Sequence, residues 1–81
     1  MEHKKEINQI KRDYFQKIAS KRVETVLKTL RLLSNCANTN NYSYDRADIR
    51  TMFSAIHEQL RITEYKFKEG INKKSNSKFK F

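Results

Sequence analysis

The chain has 81 residues, 37% hydrophobic and 33% charged, with 18 Lys/Arg against nine Asp/Glu for a formal charge of +9. One Gly, no Pro and a single Cys exclude an intrachain disulfide framework and the hairpin turns that a sheet protein needs. What remains is an all-α chain of one domain, near the lower size at which a core offsets conformational entropy without partners.

The N-terminal stretch MEHKKEINQIKRDYFQ lacks the apolar run of a signal peptide, and no segment approaches the roughly 20 apolar residues of a membrane span. The expectation is a cytoplasmic protein with no membrane partner. From about residue 2 to residue 36 nothing breaks a helix, and apolar residues recur at spacings of three and four. At roughly 100° per residue they form two stripes. Ile7, Ile10, Tyr14 and Ile18 share one face, whereas Phe15, Ala19, Val23, Val26, Leu30, Leu33 and Ala37 share another, about a third of a turn away. One straight helix would offer these faces to different neighbours, so either the helix bends near Ser20 or its first half packs on another chain.

Residues 37–44 close a loop dense in Asn and Ser, whose side chains compete with helical backbone hydrogen bonds. Asn41-Tyr42-Ser43 fits a glycosylation sequon, but without an export signal it reads as loop. Asp45 and Asp48 form a helix-start signal with capping-box spacing, and Tyr44 before it suits a hydrophobic staple. Ile49, Met52, Phe53, Ile56, Leu60, Thr63 and Phe67 then share one narrow stripe, and Gly70 follows as the expected C′ residue, which predicts a helix over residues 45–69. The predicted architecture is an antiparallel helical hairpin over residues 1–69, completed either as a small three-helix bundle or as a helical dimer. The Val23–Leu33 face packs on the second helix, leaving the Ile7, Ile10, Tyr14, Ile18 stripe as the candidate interface. Residues 70–81, with four Lys and no acid, read as a flexible basic tail.

The charge is uneven. Residues 1–22 hold seven Lys/Arg against three acids, residues 45–69 five against five, and residues 70–81 four against none. A balanced helix between basic ends points to a polyanionic partner. The candidate phosphate contacts are Lys73, Lys74, Lys78 and Lys80 in the tail, where Phe79 and Phe81 add stacking faces, and Lys4, Lys5, Lys11 and Arg12 at the other end. On the second helix Arg50, His57, Arg61 and Lys68 make a row beside the apolar stripe, with Glu58, Glu64 and Glu69 within reach as competing partners. On the first helix Lys17, Lys21, Lys28 and Arg31 lie opposite the Val/Leu stripe, interrupted by Glu24 alone.

Chemistry finds little footing. His3 and His57 are the only histidines and Cys36 the only thiol, and no HExxH, CxxC, GxSxG or Gly-rich phosphate loop is present. No catalytic residue, metal site, cofactor or small-molecule substrate is expected. Neither a tight helix-turn-helix nor a ribbon-helix-helix pattern occurs. The expectation is a non-enzymatic protein that binds DNA or RNA mainly through backbone phosphates. The alternative is a protein-binding inhibitor or adaptor, of the kind carried by phages and other mobile elements, that uses the Ile7, Ile10, Tyr14, Ile18 stripe and the basic surface.

Overall fold

The computed structural model describes the backbone of residues 2–76 and the side chains of residues 6–73. All regular structure among the described residues is helical, with no strand. The chain divides into two units, Met1–Ser43 and Tyr44–Phe81.

The first unit is built on α1, Glu2–Ser34, 33 residues and thus about 50 Å long. It is helical without interruption through Ser20. The physical reason lies in what the segment lacks and what it tolerates. It contains no Gly or Pro, and its hydroxyl residues turn back onto the helix instead of breaking it. Thr25 Oγ1 donates to the Lys21 carbonyl at 3.0 Å, Thr29 Oγ1 to that of Thr25 at 2.8 Å, and Ser34 Oγ to that of Leu30 at 3.1 Å. The last turn tightens into a 3-10 turn over Asn35–Ala37. Asn38 then organises the loop. Its carbonyl accepts from the amides of Asn41 and Tyr42 at 3.1 and 3.0 Å, and its Oδ1 accepts from the Asn40 amide at 3.0 Å.

The second unit is built on α2, Arg46–Asn76, 31 residues and about 46 Å. Its start is the reciprocal cap expected from the spacing. The Asp48 amide donates to Asp45 Oδ1 at 2.9 Å, the Asp45 amide donates to Asp48 Oδ2 at 3.0 Å, and the Ile49 amide closes the first turn on the Asp45 carbonyl at 3.2 Å. Its end departs from expectation. The helix does not stop at Glu69: it continues through Gly70 for six more residues, and Gly70 has no positive φ. A Gly inside a helix costs only about 1 kcal/mol relative to Ala, and Ile71 continues the apolar spacing beyond it. The predicted basic tail therefore begins in helix, with Lys73 and Lys74 inside α2, whereas residues 77–81, with Lys78 and Lys80, lie outside the described residues.

Among the described residues none is buried. The least exposed apolar side chains are Ile18, Ala19, Leu30 and Leu33 in α1 and Ile56 in α2, all on the stripes read from the sequence. Along the second α1 stripe, Phe15, Ala19 and Val23 line an open groove of the kind that receives the ridge of a neighbouring helix. No helix among the described residues is long and apolar enough to cross a membrane.

Candidate nucleic-acid interface

The candidate cations fall into three groups. Lys11 and Arg12 stand exposed on the first half of α1, where Lys4 and Lys5 also belong, although the side chains of those two lie outside the described residues. Arg50 and Arg61 stand exposed on α2. Lys73 occupies the last turns of the same helix, and the side chain of Lys74 lies outside the described residues, as do Lys78 and Lys80 entirely.

The α2 row is partly neutralised by its own helix. Arg61 Nη2 donates to Glu58 Oε2 at 2.6 Å and Arg61 Nε to Glu58 Oε1 at 3.2 Å, a two-point pairing across one turn. These hydrogen bonds, and then the opposite charge, hold the Glu58 carboxyl below its ordinary value and push the Arg61 guanidinium up. Lys68 Nζ sits 3.6 Å from Glu64 Oε2. His57 faces Phe53, with ring centroids 6.3 Å apart and planes inclined by 45°. Of the row that spacing alone offered as a phosphate track, Arg61 and Lys68 are held in ion pairs and His57 in an aromatic contact, whereas Arg50 holds no acid. Both pairs were within reach of the sequence pattern, since Glu58, Glu64 and Glu69 stand one turn from the cations.

α1 behaves differently. Among the described residues both ion pairs belong to α2, and no Lys or Arg of α1 has an acid within pairing distance. Lys17, Lys21, Lys28 and Arg31 lie on one side of the helix, spread over about 80° of its circumference and about 21 Å of its length. Glu24 falls on the same side but holds none of them. Asp13, another acid of α1, accepts from Gln9 Nε2 at 2.9 Å. The free cationic row is therefore on the first helix, beside Lys11 and Arg12, rather than on the second.

Chemistry beyond charge has little to work with. No group of three His, Cys, Asp or Glu side chains gathers into a metal-binding cluster among the described residues. Cys36 is exposed in the 3-10 turn. The apolar interface residues remain as the spacing placed them: Ile7, Ile10 and Tyr14 are 41%, 65% and 67% exposed, and Ile18 is half-buried. Apolar positions off the predicted stripes are also exposed, among them Leu27 and Leu32 in α1 and Ile62, Tyr65 and Ile71 in α2. Ile71 could have been found from its spacing of four from Phe67, had Gly70 not read as a stop. The chain matches no family model, no curated protein and no solved structure.

Proposed function

We propose that this chain is a non-enzymatic helical protein that binds DNA or RNA through backbone phosphates, with the basic face of α1 as its main contact. The observation that carries the reading is the contrast in pairing. Lys17, Lys21, Lys28 and Arg31 are exposed and hold no acid, whereas Arg61 and Lys68 are already engaged by Glu58 and Glu64. Unpaired cations along a helix can neutralise backbone phosphates and displace the counterions condensed on the nucleic acid, which is the source of sequence-independent affinity. Lys11, Arg12 and Lys73 add to the same field, and at sequence level Lys4, Lys5, Lys74, Lys78 and Lys80 do as well.

The scaffold proposed for this face is an antiparallel hairpin. Its support is a mirrored spacing: Phe15, Ala19, Val26, Leu30 and Leu33 match Phe67, Thr63, Ile56, Met52 and Ile49 in reverse order, each pair of residue numbers adding to 82. Such a register sets these five residues of one stripe against five of the other, with Val23 opposite Gln59. It leaves the Ile7, Ile10, Tyr14, Ile18 stripe over, and the exposure of Ile10 and Tyr14 favours a second reading, a protein-binding adaptor or inhibitor that uses this stripe.

An anisotropy titration with a single-stranded RNA, a single-stranded DNA and a duplex, at about 50 and about 200 mM salt, tests the first reading. Micromolar or tighter binding that weakens steeply with salt is expected, and the ranking of the three identifies the ligand. Absence of binding to all three at the lower salt overturns it.

A further inference from the structure

One face of α1 changes character along its length. Ile7, Ile10, Tyr14 and Ile18 occupy an arc of about 80°, and the same side of the helix carries Lys21 and Lys28 further along. The apolar part is exposed and lies about a third of a turn from the stripe that begins at Phe15. Its flank is charged in a particular way. Glu6 and Lys17 stand at opposite ends of the stripe on the same flank, because their eleven-residue separation is close to three full turns. Within one straight helix they are about 16 Å apart along the axis and cannot pair. Neither is engaged in an ion pair among the described residues.

We infer that this stripe docks on the same stripe of a second copy of the chain, antiparallel, about a two-fold axis close to residues 12 and 13. That arrangement sets Ile7 against Ile18 of the second copy and Ile10 against Tyr14 of the second copy. It also brings Glu6 to Lys17 of the second copy twice, once on each side of the axis, as a self-complementary interface requires. A parallel pairing has no such match, since it sets like ends of the stripe together. The eight apolar side chains bury on the order of 1,000 Å² in total, the low end for a specific interface, so the dimer is reversible and in the micromolar range. Lys28 and Arg31 lie beyond the overlap of the two helices and stay open to other ligands, whereas Lys21 falls opposite residues 3 and 4 of the second copy. The assignment uses α1 alone and does not rest on nucleic-acid binding.

Sedimentation equilibrium of the full chain from about 5 to about 500 µM, a range that brackets micromolar dissociation constants, reads the association directly. The wild type is expected to pass from monomer to dimer, and Ile10→Lys to remain monomeric. Glu6→Lys and Lys17→Glu are each expected to weaken association by about tenfold or more, and the combined E6K/K17E chain to recover it, because each reversal alone sets like charges together twice per dimer. Both charge variants lie on an exposed flank, so their helicity by circular dichroism should match the wild type, which separates loss of association from loss of folding. A wild type that stays monomeric throughout overturns the proposal, even if the stripe captures some other protein. So does a dimer insensitive to Glu6→Lys, or a combined variant no tighter than the single ones.

Discussion

α1 and α2 are nearly equal in length and built from similar residues, yet they satisfy their polar groups in different ways. α2 closes on itself. A reciprocal cap satisfies its first turn, two of its cations hold acids one turn away, and its main apolar stripe runs from Ile49 to Phe67, with Ile62 and Tyr65 off it. α1 is open. Its hydroxyls serve its own backbone, but its cations have no partners among the described residues and its apolar residues divide between two faces. A helix that pairs part of its charge internally needs a neighbour chiefly for its stripe. A helix with unpaired charge and a second stripe has affinity left for further ligands. In the proposed reading α2 serves as scaffold and α1 as the recognition helix.

The largest effect expected from that division is on nucleic-acid binding. Replacing Lys17, Lys21, Lys28 and Arg31 together by Gln should lower the slope of log affinity against log salt by roughly three units, at 0.7 to 0.9 per lost phosphate contact. Replacing Arg61 and Lys68 by Gln should change it less per residue, because each must first be freed from Glu58 or Glu64. Anisotropy titrations across salt measure both, and equal losses per residue from the two sets would erase the distinction between the helices.

Effects on stability come next and belong to α2. Asp45→Ala removes the acceptor of the Asp48 amide and should cost about 1 kcal/mol, read as a fall in thermal midpoint and in helicity. Gly70→Ala works in the opposite direction. A Cβ at Gly70 meets nothing within 4 Å, and the residue has no positive φ, so the substitution should stabilise the helix by about 0.5–1 kcal/mol. Destabilisation instead would mean that Gly70 ends the helix in a left-handed turn.

Gly70 also marks where reading from sequence gives out. A Gly after a periodic run has the same local signature whether it terminates a helix or interrupts one cheaply. Ile71, one turn beyond Phe67, is the residue that argues for continuation. The other end of α2 is legible because Asp45 and Asp48 need only their spacing and the free amides of a helix start. The helical character of both segments is legible for the same local reason, through periodicity and missing breakers. The Asn-rich loop is legible as a loop, but not the choice of Asn38, rather than Asn35, Asn40 or Asn41, as the residue that accepts three backbone hydrogen bonds. At the candidate interface the sign of the charge could be read, whereas its pairing could not. Glu58 and Glu64 were equally free on paper to stay solvated or to take Arg61 and Lys68, and that outcome shifts the free cations to α1. Periodicity likewise shows which faces are apolar without saying what covers them.

The smallest effect expected is a pH dependence within α2. Arg61 donates two hydrogen bonds to Glu58 and places its charge beside it, and both favour the carboxylate, so the folded pKa of Glu58 lies below its unfolded value. A carboxyl with a depressed folded pKa stabilises the helix fully above its unfolded pKa, and that contribution is lost as pH falls through the folded one. The window is therefore acidic, at and below the ordinary carboxylate range, and nothing should change between pH 6 and pH 8, a span chosen to lie roughly above all carboxylate titration. Because both side chains are well exposed, at 69% and 54%, solvent and salt screen the pair and the effect must be small. In a helicity titration by circular dichroism at low salt, Glu58→Gln should lower helicity slightly at neutral pH, where the pair is intact, and converge on the wild type in acid, where Glu58 is protonated. An equal change at neutral and acidic pH would show that Glu58 acts through helix propensity alone, and Arg61 would then count among the free cations, narrowing the contrast between the two helices.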